Sequence, residues 1–248
     1  MLSDKLLTLD EQLCQQINLL EFDSEKVEYV YNPLEYAYNG YSQFVKKYLD
    51  TSKHILFVGM NPGPYGMCQT GIPFGDVNTV QNWFEINVEV NRPRRECPER
   101  PVLGLECKRV EQSGKRLWEY FRKKCGLPEH FFRNAFILNY CPLGFFDANG
   151  KNITPNNLKV ANKRKIQQIC DQYMLHVLQL LECKIVVGIG RYAQERMDNI
   201  LKTSNLDVQL LYMKHPSPLA GTTDQWIEDT NKLIQENNLN SYFINKHV

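Results

Sequence analysis

The sequence has no long hydrophobic run, and this absence excludes a predicted transmembrane helix. Its uninterrupted apolar stretches are short, such as residues 55–58 and 185–187, whereas a spanning helix needs about 20 apolar residues. The N-terminus carries Asp4, Asp10 and Glu11 with no apolar core between them, which is not typical of a secretory signal. We therefore expect a soluble, intracellular protein with no membrane partner.

Closely paired cysteines are also absent, although the chain has 8 cysteines in all. No Cys-x-x-Cys occurs, and no Cys/His spacing is typical of a zinc or iron–sulfur site. Scattered thiols of this kind are typical of buried or surface cysteines in a reducing compartment. We expect neither a metal centre nor a cofactor.

Charge of one sign is not in excess overall, but its distribution along the chain is uneven. The 248 residues include 29 Lys+Arg and 28 Asp+Glu, for a formal net charge of +1. Residues 1–52 are acidic, whereas residues 91–133 and 151–196 are basic. Two basic segments on a neutral protein form either a phosphate-facing surface or ordinary solvated faces, and charge alone leaves both open.

Apolar periodicity predicts strands alternating with helices. The predicted strands are 53–60, 135–139, 184–189 and 208–213, and the predicted helices are 1–20, 117–125, 156–181, 191–201 and 226–237. Residues 91–114 read as a long irregular connection. The pattern predicts one three-layer α/β/α domain over residues 1–248, with a mainly parallel sheet of about four strands. An acidic helical segment is expected at about 1–27.

Polar, proline-containing loops follow three of the four predicted strands. Asn61-Pro-Gly-Pro64 follows the first strand, Asn139 ends the second, and His215-Pro-Ser-Pro218 follows the fourth. Proline restricts its own backbone and that of the preceding residue, so Asn61 and His215 are each held on a stiffened chain. Ligands of open α/β sheets bind at the carboxyl ends of the strands. Two amides and an imidazole are therefore expected to converge on a planar, amide-like ligand.

Each motif taken alone has a plain structural reading. Asn-Pro-Gly is commonly a simple turn, His-Pro is usually structural, and Asn139 also suits a turn cap. Residues 188–193 (Gly-Ile-Gly-Arg-Tyr-Ala) imitate a dinucleotide-binding fingerprint, but no acid follows at the required spacing, so we discount nucleotide binding. It is the combination of these loops, in order at the ends of strands, that indicates a ligand site.

Several motifs together resemble one protein family. They are 59–75 (Gly-Met-Asn-Pro-Gly-Pro-Tyr-Gly-Met-Cys-Gln-Thr-Gly-Ile-Pro-Phe-Gly), 100–107, 139–143, 186–191 and 215–218. In this order they resemble the single-strand-selective monofunctional uracil-DNA glycosylases, over roughly residues 28 to 240. The resemblance implies the uracil-DNA glycosylase fold. It also implies hydrolysis of uracil and 5-hydroxymethyluracil-like bases from single- and double-stranded DNA, leaving an abasic site for base excision repair.

The resemblance also implies roles for the pocket residues. Asn61 would position the attacking water, and His215, as a neutral imidazole, would donate a hydrogen bond to the uracil oxygen. Asn139 would pair with the Watson–Crick edge, and Phe74 would stack on the base. Further pocket residues would be Met60, Gly63 and Met67, with Gly63 leaving room at the 5-position. Water is the expected nucleophile, because no lysine other than Lys214 adjoins these motifs.

DNA contacts are implied for two further segments. Leu219 stands where family members often carry arginine, and it resembles the leucine that fills the gap of a flipped base in the broader group; an ordinary apolar loop residue is the alternative. The matching stretch 149–163 contains Thr154-Pro155, which looks like a helix start. The DNA-binding residues implied are Asn149, Lys151, Thr154, Lys159, Lys163, Ser217 and Leu219. Asp76, where the family usually has Glu, is expected to be structural rather than catalytic.

Two other functions compete with uracil excision by hydrolysis. One is a related mismatch-specific uracil/thymine glycosylase, which His215 disfavours. The other is a non-catalytic reader of damaged DNA, which would need neither Asn61 nor His215. DNA is the expected partner, and the resemblance favours a monomer in the nucleus.

Overall fold

A four-stranded parallel sheet lies at the centre of the protein, whose computed structural model describes residues 1–22 and 26–243. The strands are β1 (Tyr29–Tyr31), β2 (Ile55–Gly59), β3 (Ala135–Asn139), β4 (Gly144–Phe146), β5 (Asn152–Ile153), β6 (Ile185–Ile189) and β7 (Gln209–Met213). The helices are α1 (Leu2–Ile17), α2 (Pro33–Tyr36), α3 (Tyr38–Tyr48), α4 (Met67–Thr70), α5 (Val77–Asn82), α6 (Gln112–Cys125), α7 (Pro128–Phe132), α8 (Val160–Leu181), α9 (Arg191–Thr203), α10 (Thr223–Glu236) and α11 (Asn240–Phe243). The central sheet has the order β3-β2-β6-β7.

Helices cover both faces of this sheet. On one face, the Phe57 ring packs against aromatic rings of α6, α7 and α11, with centroids 5.5, 5.5 and 6.2 Å away. Side chains alternate along a strand, so Leu56 and Gly188 face the other way, where α9 approaches Gly188 closely. Strands β2, β3 and β6 are buried along their whole length, which explains their continuous apolar sequence. The predicted α/β/α class and the four parallel strands are confirmed.

Most predicted elements are present with small changes at their ends. Helix α6 begins at Gln112, five residues before the predicted start, inside the segment expected to be irregular. The predicted helix from 156 is wrong at its start. Residues 155–157 form a separate 3-10 turn, and Leu158 and Lys159 are extended before α8 begins at Val160. The Leu158 side chain is buried, and the extended backbone carries it into the core.

Sequence periodicity missed a small antiparallel sheet of order β1-β4-β5. Its strands have only two or three residues each, too few for a periodic pattern. Tyr31 pairs with Gly144 and Phe145 with Ile153. This sheet fixes the chain that leads from the end of β3 towards Asn152 and Thr154, which lie beside the site described below.

The predicted N-terminal helix is present as α1. The carboxyl group of Asp10, which is buried, accepts hydrogen bonds from Tyr41 of α3 and Tyr173 of α8. The acidic segment predicted at about 1–27 includes residues 23–25, which lie outside the described residues. The extent of the domain stays a prediction. Across residues 1–22 and 26–243, the helices include none with the length and apolar character needed to cross a bilayer.

Candidate active site

The loops after β2 and β3 are joined side by side at the carboxyl edge of the sheet. Gly59 pairs with Asn139 in the parallel ladder. The pairing continues past both strand ends, because the N–H of Tyr140 donates to the Gly59 carbonyl and that of Cys141 to the Met60 carbonyl, both at 2.9 Å. The proline-rich loop is therefore held next to Asn139 by backbone bonds.

A cavity of about 380 Å³ lies at this edge, within the range of small-molecule sites. Ten of the residues proposed from the sequence line it: Met60, Asn61, Gly63, Met67, Phe74, Asn139, Thr154, His215, Ser217 and Leu219. Residues that sequence analysis missed also line it, namely Pro62, Pro64, Glu111, Ser113 and Asn152. Of the other proposed residues, Asn149, Lys151 and Lys159 are exposed and Lys163 is half-buried, and none of the four lines the cavity.

The Asn61 amide has its nitrogen bound and its oxygen available. Nδ2 donates to the Leu143 carbonyl at 3.2 Å, which orients the side chain between the loops after β2 and β3. The Oδ1 atom is thereby the group that accepts a hydrogen bond from a molecule in the cavity.

Asn139 is held by a neighbour that was itself predicted to line the pocket. Its Nδ2 donates to the sulfur of Met67 at 3.2 Å, and its side chain is buried. The backbone of Gly59 lies directly beneath: a Cβ there would be 2.4 Å from Asn139 Oδ1 and 2.6 Å from the Phe74 ring. Only glycine at position 59 leaves both side chains where they are.

Phe74 is held against the cavity in a left-handed backbone conformation, with φ of 55°, which is unfavourable for a residue with a Cβ. Contacts with helix α6 hold Phe74 in this conformation. The Trp118 indole donates to the Phe74 carbonyl at 3.0 Å, and Gly114 approaches so closely that a Cβ there would lie 2.2 Å from that oxygen. The Phe74 and His215 rings lie 6.2 Å apart.

His215 has the protonation state predicted from the sequence. Burial lowers the pKa of its imidazole from 6.5 to about 4, so the ring is neutral at neutral pH. The backbone N–H of Ser217 donates to Nδ1 at 3.1 Å, which leaves the proton on Nε2 as a donor. Strand β6 lies between β2 and β7 and ends next to Gly190, whose φ of 86° favours glycine and whose backbone lies against the His215 side chain.

Glu111 is a carboxyl group of the cavity that sequence analysis did not single out. Burial raises the pKa of Glu111, while hydrogen bonds from the backbone of Tyr65 and Ser113 act in the opposite direction. A Cβ at Gly63 would lie 2.3 Å from Glu111 Oε2. The space beside Gly63 is thus filled by this carboxyl group, where the sequence led us to expect open room. Residue 111 belongs to a segment without periodicity, and nothing local in the sequence marked it.

Asp76 is structural in this arrangement. Its Oδ2 accepts from the Thr79 N–H at the start of α5, and its Oδ1 accepts from the Glu111 N–H at 3.3 Å. Asp76 therefore ties the segment after Phe74 to the segment that carries Glu111. It does not line the cavity.

The residues proposed for DNA contact that do not line the cavity precede and follow β5 along the chain. Asp147 Oδ1 accepts from the backbone N–H groups of Asn149 and Lys151 at 2.9 and 2.8 Å, which forms a tight turn. Lys163 donates to Asn156 through its Nζ. Thr154, which lines the cavity, donates to Asn157 at 2.6 Å, and Thr154-Pro155 starts the 3-10 turn rather than α8.

All eight cysteines are buried and unpaired. Burial raises the pKa of the Cys14 thiol to about 12 and that of Cys183 to about 11, so neither is a thiolate at neutral pH. In the part of the chain that the structure describes, no group of three or more His, Cys, Asp and Glu side chains is arranged to hold a metal ion.

Similarity to known proteins extends over most of the chain. Residues 46–236 match the family described as the Uracil DNA glycosylase superfamily. The chain is 40% identical over 236 residues to the single-strand selective monofunctional uracil-DNA glycosylase of Rattus norvegicus, covering 95% of this chain and 84% of that protein. It is 43% identical over 217 residues to the protein of that name from Bos taurus, covering 88% of this chain and 79% of that protein.

A solved structure shares the fold. The crystal structure of wild-type SMUG2 from Pedobacter heparinus superposes with a TM-score of 0.65, covering 93% of this chain and 98% of that one, at 18% sequence identity. At that identity the likeness concerns the fold alone.

Proposed function

Because this chain belongs to the Uracil DNA glycosylase superfamily, we propose that it hydrolyses the N-glycosidic bond of uracil in DNA. The product is an abasic site for base excision repair, and the reaction has no lyase step. The observation that carries the proposal is the placement of Asn61 and His215 in one cavity, with an amide oxygen and a neutral imidazole N–H both available.

The two side chains suit the two charges that develop in the reaction. A water molecule bound to Asn61 Oδ1 attacks C1′ of the deoxyribose and releases a proton to solvent. The bond from C1′ to N1 breaks with its electron pair going to the base, which leaves as an anion and takes up a proton at N1 from solvent. His215 Nε2–H donates to the uracil oxygen on which negative charge accumulates. A neutral donor is suited to this step, since its proton stays on the imidazole.

The remaining cavity residues recognise the base. A uracil must leave the DNA stack to enter a closed pocket. The Asn139 amide pairs with its polar edge, and the Phe74 ring stacks on its face. Uracil carrying a 5-hydroxymethyl group is a second proposed substrate, and the Glu111 carboxyl beside Gly63 is a polar partner for such a group.

Excision from a labelled uracil oligonucleotide, single- and double-stranded, tests the proposal. Wild type is expected to produce alkali-sensitive sites, and Asn61→Ala and His215→Ala each to slow excision by about 10²–10³, the usual loss for one preorganised group. Asn199→Ala and His176→Ala, at exposed positions of α9 and α8, are the matched controls and should leave the rate unchanged. No excision of either strand form by wild type, with binding retained, would instead indicate a damage reader.

The mismatch-specific alternative predicts a different substrate preference. Such an enzyme would excise thymine or uracil opposite guanine and leave uracil in single strands intact. Comparing those oligonucleotides separates the two enzymes.

We also propose that the protein acts as a monomer in the nucleus. A DNA substrate supports the proposal of nuclear residence, and microscopy of the tagged full chain tests it. Light scattering at micromolar concentration tests the monomer.

A further inference from the structure

The loop between β7 and α10 carries an apolar side chain with no packing partner. Leu219 is 100% exposed and lines the mouth of the cavity. The hydrogen bonds within the loop are short-range: the N–H of Leu219 donates to Ser217 Oγ, and the N–H of Ala220 to the Ser217 carbonyl. These bonds shape residues 217–221 locally but do not set where the loop stands relative to the cavity.

A side chain of α6 reaches residues 217–221 of this loop. The guanidinium of Arg116, in α6, donates to the carbonyls of Ser217 at 3.3 Å and Gly221 at 3.1 Å. These two carbonyls flank Leu219 on either side. Arg116 therefore holds both ends of the short segment whose tip is Leu219.

Helix α6 is also the element that fixes the base-stacking side of the cavity. Gly114 and Trp118, two residues before and two after Arg116, contact the Phe74 carbonyl. The Arg116 contacts thus attach the loop to α6, the same helix that contacts the Phe74 backbone.

We propose that Arg116 is a positioning residue for excision from duplex DNA, acting through Leu219. The inference rests on the proposed function. In a duplex, extruding a base leaves a gap between its neighbours and an unpaired partner, and an inserted apolar side chain fills that gap. A single strand has no opposite strand to leave unpaired. Placement of Leu219 therefore matters mainly for duplex substrate.

The test compares single-turnover excision from matched single- and double-stranded uracil oligonucleotides. For Arg116→Gln we expect the duplex rate to fall by about tenfold, the size expected for loss of a charge-assisted hydrogen bond, and the single-strand rate to fall much less. Arg122→Gln removes the same charge from an exposed position of the same helix and should leave both rates unchanged.

A double-mutant comparison asks whether Arg116 acts through Leu219. Leu219→Ala should also lower the duplex rate selectively, and adding Arg116→Gln to it should cost little more, because the loop then has no wedge to position. Arg116→Lys, which keeps the charge, provides a second variant if Arg116→Gln does not fold, and it should retain part of the duplex activity.

Two outcomes would overturn the inference. Equal losses on single and double strands would assign Arg116 to general stability or charge, and full additivity with Leu219→Ala would show that it does not act through the wedge. Failure of the proposed function looks different, since wild type would then release uracil from neither substrate.

Discussion

The chemistry of the candidate site depends on single residues whose properties are changed by burial. His215 is the main example, because its imidazole is neutral at a pH where exposed histidines begin to take up protons. Its Nδ1 already accepts a hydrogen bond from Ser217, so protonation there would also break that bond. Burial and this backbone contact act in the same direction.

The pH dependence of excision should therefore show no change near 6.5. The single-turnover rate is expected to be insensitive to His215 from about pH 5 to about pH 8 and to fall as the pH drops through about 4. An inflection near 6.5 that disappears in His215→Gln would contradict this.

The lowered pKa of His215 also affects stability, because between pH 6.5 and about 4 the unfolded chain binds a proton at this residue that the folded protein does not. His215 thus reduces the free energy of unfolding as the pH falls through that range.

Gly63 is a second residue whose environment predicts a large effect. Gly63→Ala places a methyl group 2.3 Å from the Glu111 carboxyl. That carboxyl is half-buried and accepts hydrogen bonds from the backbone of Tyr65 and Ser113, so it resists turning away and the loop moves instead, together with the Asn61 amide. We expect excision to slow by about tenfold or more, since misplacing a reacting group by about 1 Å can cost 10²-fold.

The control for Gly63→Ala is the same substitution made with Glu111→Ala. If the clash is the cause, Gly63→Ala should do less harm when the carboxyl is absent, as measured by excision of uracil and of 5-hydroxymethyluracil. An equal loss in both backgrounds would show that Glu111 is not what limits position 63.

At the scale of secondary-structure elements, a buried carboxyl group joins α1 to the rest of the protein. Asp10 accepts from the hydroxyls of Tyr41 and Tyr173, and burial raises its pKa to about 7. A raised pKa means that the folded protein holds a proton that the unfolded chain has already lost. The resulting contribution of Asp10 to the free energy of unfolding is fully present below pH 3.8 and is lost as the pH rises through about 7.

Replacing Asp10 by Asn removes this ionisation while keeping the size of the side chain. The free energy of unfolding of Asp10→Asn relative to wild type should increase by about 2–4 kcal/mol between pH 4 and pH 8. Urea unfolding across that range measures it. Asp4→Asn, at an exposed position of the same helix, is the control, and a constant difference for Asp10→Asn would contradict the raised pKa.

At the scale of the whole molecule, two arginines of the first basic segment lie beside the cavity-lining loop after β2, and one of them also bonds to the backbone just before the second basic segment. The Tyr65 ring, next to cavity-lining Pro64, has the guanidinium groups of Arg109 and Arg100 at 4.3 and 5.4 Å. Arg100 also donates to the carbonyl of Gly150 at 2.7 Å, beside Lys151. The sequence leaves the role of the basic segments open, and the position of Arg100 and Arg109 beside the cavity favours a phosphate-facing surface for the first of them.

Salt dependence of DNA binding tests this surface. Arg109→Gln and Lys151→Gln should each reduce the slope of log affinity against log salt concentration by about 0.7–0.9, as expected for one phosphate contact. Lys163→Gln should have a smaller effect, because its ammonium is bonded to Asn156. Arg94, which lines a separate cleft, provides the control, and equal effects at Arg94 and Arg109 would argue against a localised surface.

The sequence by itself determined the parallel core and the edge at which the site lies. Buried strands such as β2 need continuous apolar residues, and the polar loops after them, with Asn61 and His215, stand out against that background. Proline and glycine restrict the chain locally, so motifs of this kind are visible without any long-range contact. The ten proposed residues that line the cavity lie in or near such motifs.

Only the tertiary structure decided which distant groups complete the site. Glu111 lies in a segment without periodicity and reaches Gly63 because α6 packs beneath Phe74. Arg116 contacts residues about a hundred positions away along the chain, and no local pattern encodes such a contact. The low pKa of His215 likewise comes from burial, which is a property of the packed fold rather than of neighbouring letters in the sequence.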